Sequence, residues 1–148
     1  MFNIIVFLLI LIADQVSKNT LVNNLYLGQS IPVIPKIFHI TLVYNTGIAF
    51  GLFKNQTVLF SVVSFFVIVL IVFNLLGQKK QKEIDRLESF ALYLILAGAL
   101  GNLIDRLRLG FVIDFLDFRV WPVFNVADSA ITIGMALLLI RCIRLFSK

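Results

Sequence analysis

The stretch "TVLFSVVSFFVIVLIVFNLLG" (57–77) contains no charged residue. A run this long and this apolar is what crosses lipid. The hydrocarbon core takes about 20 residues of helix, and a helix satisfies its own backbone hydrogen bonds where no water can. Working outward, three more stretches read the same way: "FNIIVFLLILIADQVSKNTLV" (2–22), "ESFALYLILAGALGNLIDR" (88–106) and "VADSAITIGMALLLIRCIRLF" (126–146). Together they predict a mainly α membrane protein, a four-transmembrane-helix bundle forming one domain over residues 1–148. Composition agrees, at 60% hydrophobic and 14% charged, where soluble domains average roughly 45–50% and about 25%. The first span has no Lys or Arg before Lys18 and is interrupted by Asp14, so it reads as a retained span and not a cleavable leader.

The segments between spans are informative too. Region 23–56 includes "IPVIPKIFHITLVYNTGIAFGLF", with prolines, then β-branched and aromatic residues in rough alternation, then Gly47 and Gly51. That pattern predicts short strands and turns, a small extracytoplasmic β-sheet or cradle. The third loop, 107–125, is expected to lie along the interface with Trp121 at headgroup depth. Basic residues set the orientation. Lys79, Lys80, Lys82 and Arg86 cluster in one loop, and Arg141, Arg144 and Lys148 add to that side, against Lys36, Lys54, Arg106, Arg108 and Arg119 on the other. The bias puts both termini in the cytoplasm. The net charge of +5 then belongs to cytoplasmic loops and anionic lipid, not to a nucleic-acid partner.

With this topology the embedded polar residues fall in one layer near the outer leaflet: Asp14, Lys18, Asn45, Asn102, Asp105, Arg106, Asp114, Asn125 and Asp128. Ionisable groups at membrane depth are costly and mark function by default. Each also has a plain reading. Asp14 and Lys18 are spaced as an i,i+4 ion pair. Asn102, Asp105 and Arg106 suit a polar clamp between helices. Asp128 suits the first turn of a helix whose N-cap is Asn125. Asp117 is expected to sit on the rim and face water. The small residues of "AGALG" (97–101), with Ala127, Ala130 and Gly134, would let the third and fourth helices pack closely.

Elimination narrows the chemistry. His39 is the sole histidine and Cys142 the sole cysteine, so an HExxH zinc site cannot be built and a Ser–His–Asp triad would hang on His39 alone. A Ser–Lys dyad using Lys18 has no motif behind it. Carboxylates remain: two aspartates sharing a site do not ionise together easily, so one stays protonated while the other acts as a base toward water. No metal or cofactor is called for. The rival class is a proton-coupled carrier or channel, which predicts polar residues spread through the membrane depth. A purely structural bundle is a third reading.

Five blocks carry a resemblance that covers almost the whole chain: "DQVSK" (14–18), "NTGIAFG" (45–51), "GALGNLIDR" (98–106), "VIDF" (112–115) and "FNVADSAITIG" (124–134). In this order and spacing the sequence resembles the lipoprotein signal peptidases (signal peptidase II), four-span aspartyl peptidases of bacterial inner membranes. The resemblance implies that Asp114 and Asp128 are the catalytic pair. It makes Asn102, Asp105, Arg106 and Asn125 supporting residues, with Asp14, Lys18, Asn45, Gly47 and Ala49 as the other matched positions. It further implies a diacylglyceryl-modified prolipoprotein as substrate, cleaved on the amino side of the lipidated cysteine, and sensitivity to globomycin-type inhibitors. The expectation is a monomer in membrane lipid.

Overall fold

The computed structural model describes residues 1–47, 56–78 and 85–146. Ala49 and most of the 79–86 basic cluster lie outside the described residues. The elements run α1 (Phe2–Asn24), β1 (Ser30–Ile34), β2 (Phe38–Asn45), α2 (Thr57–Gln78), α3 (Arg86–Leu109), β3 (Val112–Asp117) and α4 (Val126–Phe146). All four helices are long and apolar enough to cross a membrane, and the four expected spans correspond to them within a few residues.

Helix α3 is the hub. Over its most apolar stretch 56% of residues are buried inside the protein, against 11% for α1 and α2 and 17% for α4. Small residues explain why neighbours come so close. A methyl group on Gly98 would strike the Ala127 carbonyl, and one on Gly134 would lie 2.8 Å from the Ala91 carbonyl oxygen. Large side chains such as Phe65, Phe66 and Phe73 on α2 point away from the bundle. In water this would be an error; in lipid there is no penalty, and helix association rests on close packing and polar contacts.

Both ends of α3 are terminated by local chemistry. Asp85 is the N-cap, its Oδ1 accepting from the backbone N–H groups of Leu87 (2.9 Å) and Glu88 (3.2 Å). Arg141 of α4 reaches Asp85 and Glu88, and its hydrogen bond, followed by the Glu88 N–H, holds the Asp85 carboxyl below its ordinary range. At the other end Gly110 takes the left-handed conformation (φ 81°) and donates its N–H to the Arg106 carbonyl, a conformation glycine adopts without a Cβ penalty.

The sheet is antiparallel, in the order β1-β2-β3. Its first two strands arise within 23–56, as the alternation predicts. The third comes from the segment expected to lie along the interface: 112–117 is a strand, with Asn45 opposite Val112 and Val43 opposite Asp114. The reason for the difference is burial. Val112, Ile113, Asp114 and Phe115 are all buried, so the strand lacks the in–out alternation by which a half-exposed strand is read. This pairing carries Asp114 from a loop onto a rigid element.

Candidate active site

The site begins with Lys18, which is 2% exposed. Its Nζ lies 2.8 Å from Asp14 Oδ2 and 2.7 Å from Asp105 Oδ2, and donates to Asn102 Oδ1 at 3.0 Å. The i,i+4 pair on α1 is therefore one half of a knot that also holds α3. Each acid uses its remaining acceptor capacity to fix another element. Asp14 Oδ1 accepts the Ala127 N–H (2.9 Å) in the first turn of α4. Asp105 Oδ2 accepts the Ile113 N–H (3.2 Å) in β3. Gln15 Nε2 donates to Asp14, Asp105 and the Gly101 carbonyl at 3.1, 3.1 and 3.2 Å. Gly101 leaves the room this requires, since a methyl there would sit 2.6 Å from Asp14 Oδ2. A buried ionic group is tolerable when its charges and hydrogen-bonding positions are matched in this way.

Two asparagines connect the knot to the remaining acids. Asn102 accepts from Lys18 and from Asn125 Nδ2 (3.1 Å), and donates through Nδ2 to Asp128 Oδ1 (2.7 Å). Asn125 is fully buried and donates to Asp114 Oδ1 (2.7 Å) and the Ile113 carbonyl (3.2 Å). It also forms a reciprocal cap with Asp128: the Asp128 N–H donates to Asn125 Oδ1 (2.8 Å), and the Asn125 N–H donates to Asp128 Oδ2 (3.3 Å). One residue thus touches both carboxyls. The cap reading of Asn125 and Asp128 holds, and Asp128 faces the cavity as well.

Asp114 and Asp128 line a cavity of about 660 Å³. Asn45, Gly47, Asn102 and Arg106 supply its other polar walls, and Phe118, Trp121, Pro122, Val123 and Ile133 supply apolar ones. Asn45 donates to Asp114 Oδ2 at 2.9 Å, and its own Oδ1 accepts the Gly47 N–H at 2.9 Å. Arg106 lies with its guanidinium carbon 5.8 Å from the centre of the Phe60 ring. Burial, then the charge of Asp128, pushes the Asp114 carboxyl up to about 7, against the pull of Asn45, Lys18 and Asn125. A carboxyl poised there can hold or release a proton at neutral pH.

Every matched position among the described residues falls in this layer: Asp14, Lys18, Asn45, Gly47, Asn102, Asp105, Arg106, Asp114, Asn125 and Asp128. Asp117 is corrected. It is 5% exposed, not a water-facing rim residue, because Thr41 and Arg119 supply donors that offset its desolvation. Gln15 and the lining residue Thr132 were missed. Gln15 stands beside Asp14 in an apolar span, which was the available signal, and Thr132 lies four residues after Asp128, on the same helix face. His39 Nδ1 pairs with Ser30 Oγ (3.0 Å) on the sheet, opposite Asp117, and does not line the cavity.

An apolar four-helix bundle whose one end carries a cavity walled by buried carboxyls defines a multi-pass membrane protein with a built polar site. The sequence matches the family model described as signal peptidase (SPase) II over residues 6–144. It is 43% identical to a lipoprotein signal peptidase of Halothermothrix orenii over 92% of this chain and 91% of that one. It is 48% identical to one of Moorella thermoacetica over 88% and 85%. A bacterial membrane enzyme solved by the in meso method at 2.3 Å resolution superposes with a TM-score of 0.88 at 32% identity, covering 97% of this chain and 88% of that one. The chain belongs to the signal peptidase II family, and is a bacterial multi-pass membrane peptidase.

Proposed function

We propose that this protein is a membrane aspartyl endopeptidase that removes the signal peptide from diacylglyceryl-modified prolipoproteins, cleaving on the amino side of the lipidated cysteine. Asp114 and Asp128 are the catalytic pair. The observation that carries this reading is Asn125, whose side chain and backbone bond both carboxyls at the wall of one cavity. Names of relatives at 43% and 48% identity supply the substrate class.

The chemistry follows from one shared proton. The ionised carboxylate takes a proton from a water molecule as its oxygen attacks the scissile carbonyl carbon. The protonated partner hydrogen-bonds the carbonyl oxygen, where charge develops. Collapse breaks the C–N bond, and a proton passes from the pair to the leaving amine. The pair titrates as a unit, so neither role belongs to one residue. Asn45, Asn102 and Asn125 hold the carboxyls by donating to them, and Lys18 holds Asn102 and, through it, Asn125. The substrate's apolar segment lies between helices, its acyl chains stay in lipid, and both termini of the enzyme are cytoplasmic with the site near the outer leaflet. The enzyme acts as a monomer.

The test is a gel-shift cleavage assay in detergent on a diacylglyceryl-modified prolipoprotein. Asp114→Asn and Asp128→Asn should each abolish cleavage while the protein stays folded by thermal melt. Cleavage by both variants at near-parent rates would sink the aspartyl mechanism.

A further inference from the structure

The loop between β3 and α4 forms one wall of the cavity through Phe118, Trp121, Pro122 and Val123. Its base is closed by the Leu116–Phe124 bridge, with the Leu116 N–H donating to the Phe124 carbonyl at 2.7 Å and the Phe124 N–H returning at 3.1 Å. Its first turn is unusual. Arg119 has φ 66°, in the left-handed region, which a residue with a Cβ enters at a cost. Asp117 is the group that offsets that cost. Its Oδ1 accepts the Arg119 N–H (2.8 Å), and its Oδ2 accepts both the Arg119 guanidinium (2.9 Å) and the Thr41 hydroxyl (2.7 Å).

The charge is used locally. Desolvation pushes the Asp117 carboxyl up, but Thr41, then the Arg119 N–H and guanidinium, outweigh it and leave it below its ordinary range. Thr41 is tied in turn to Ser30 (2.8 Å) on β1, so the clasp anchors the loop across all three strands. The wall also has aromatic support: Phe118 lies tilted against Phe38 and stacked on Phe124, with ring centres 4.8 and 5.8 Å away. That support orients one ring and does not set the backbone at Arg119.

We infer that Asp117 is a positioning residue for substrate. It holds Arg119 in the left-handed turn and so presents the Phe118–Val123 wall to the prolipoprotein, without taking part in the proton transfers. The inference rests on the proposed peptidase reading for its kinetic arm, and has a second arm that does not. Trp121 is the sole tryptophan and lies on this wall, so its fluorescence reports the loop directly, whatever the substrate.

Three variants test this in detergent: Asp117→Ala, Asp117→Asn, and Asp117→Ala combined with Arg119→Gly. Asparagine keeps an acceptor for the Arg119 N–H, and glycine enters the left-handed region without help. Asp117→Ala removes all three bonds of the clasp and should raise KM about fivefold, an effect the size of one net hydrogen bond, with kcat and its pH profile unchanged. Acrylamide quenching of Trp121 should change in the same variant. Asp117→Asn and the double variant should both return KM and quenching toward the parent values. A role in general stability alone would lower the melting temperature without the KM–kcat split or the glycine rescue. The inference is overturned if kcat falls at constant KM, if Trp121 quenching is unchanged in Asp117→Ala, or if Arg119→Gly rescues neither readout. Should the parent cleave no prolipoprotein, the peptidase reading fails, while the Trp121 measurement still decides whether Asp117 holds the loop.

Discussion

Replacing Lys18 with methionine removes one charge and leaves two. Methionine fills much of the same volume, so the packing change is small and the electrostatic one is large. Lys18 Nζ is the shared cation of Asp14 and Asp105, at 2.8 and 2.7 Å, and those acids are 0% and 3% exposed. Breaking a buried pair from one side costs about 3–5 kcal/mol, because the partner charge stays behind without compensation. For a domain of this size each kcal/mol moves the melting temperature by roughly 2–4 °C, so the expected drop is roughly 6–20 °C. The damage should also reach the reaction. Asp14 fixes the Ala127 N–H next to Asp128, and Asp105 fixes the Ile113 N–H next to Asp114, so kcat should fall with stability. Thermal unfolding in detergent, followed by helical circular dichroism, measures the first effect, and cleavage kinetics measure the second. Adding Asp105→Asn to Lys18→Met removes one of the stranded charges and should recover part of the loss, which a double-mutant cycle quantifies. A melting shift below about 3 °C, or a double variant no better than the single, would refute the picture of Lys18 as the cation that two buried acids depend on.

Four further outcomes follow from the same geometry. The Asp114 carboxyl is raised from 3.8 to about 7 in the folded protein, so between those values the folded state binds more protons than the unfolded state. Its stabilising contribution is full below the lower value and is lost as pH rises through the upper one; denaturation midpoints should fall across that window, and Asp114→Asn should flatten the dependence. Gly98→Ala would drive a methyl into the Ala127 backbone and should cost about 1–3 kcal/mol, displacing α4 and lowering kcat. Gly77→Ala on α2 meets nothing within 4 Å and should stabilise by about 0.5–1 kcal/mol, both read by thermal melts. Asn125→Ala removes the donor to Asp114 and the side-chain acceptor for the Asp128 N–H; a loss of about 1–3 kcal/mol is expected, with kcat falling more than KM in the cleavage assay.

Much of this was legible because a membrane protein's sequence separates its signals. Apolar runs of span length mark α1, α2 and α4 directly, and α3 is marked by its small residues as well. Charged groups are so rare inside spans that Asp14, Lys18, Asp105 and Asp128 stand out against their surroundings, and the alternating direction of the helices collects them at one end. What could not be read depends on pairing across long distances in the chain. Strand β3 is buried on both faces, so "VIDFLD" lacks alternation and looks like interfacial loop. Asp117 looks like a solvated acid until the register of β2 against β3 brings Thr41 beside it. Gln15 has an even chance of facing lipid or protein until α3 is docked, and only then does its amide meet Asp105 and Gly101.

The division of labour among the charges also bears on the proposed reaction. Four carboxyls share the layer, Asp14, Asp105, Asp114 and Asp128, with two cations, Lys18 and Arg106. Lys18 is taken by Asp14 and Asp105, so with both of those ionised the knot remains negative by one charge. Arg106 is the other cation, and it faces the cavity. Counted together, the two cations balance Asp14 and Asp105, so ionising both Asp114 and Asp128 would leave two uncompensated negative charges in a buried site with weak screening. One proton on the pair relieves that repulsion, and one proton on the pair is what the proposed hydrolysis requires at its start. Lys18 therefore ties α1 to α3 directly, and through Asp14 and Asp105 it sets the first turn of α4 and the start of β3, the two places from which Asp128 and Asp114 reach the cavity.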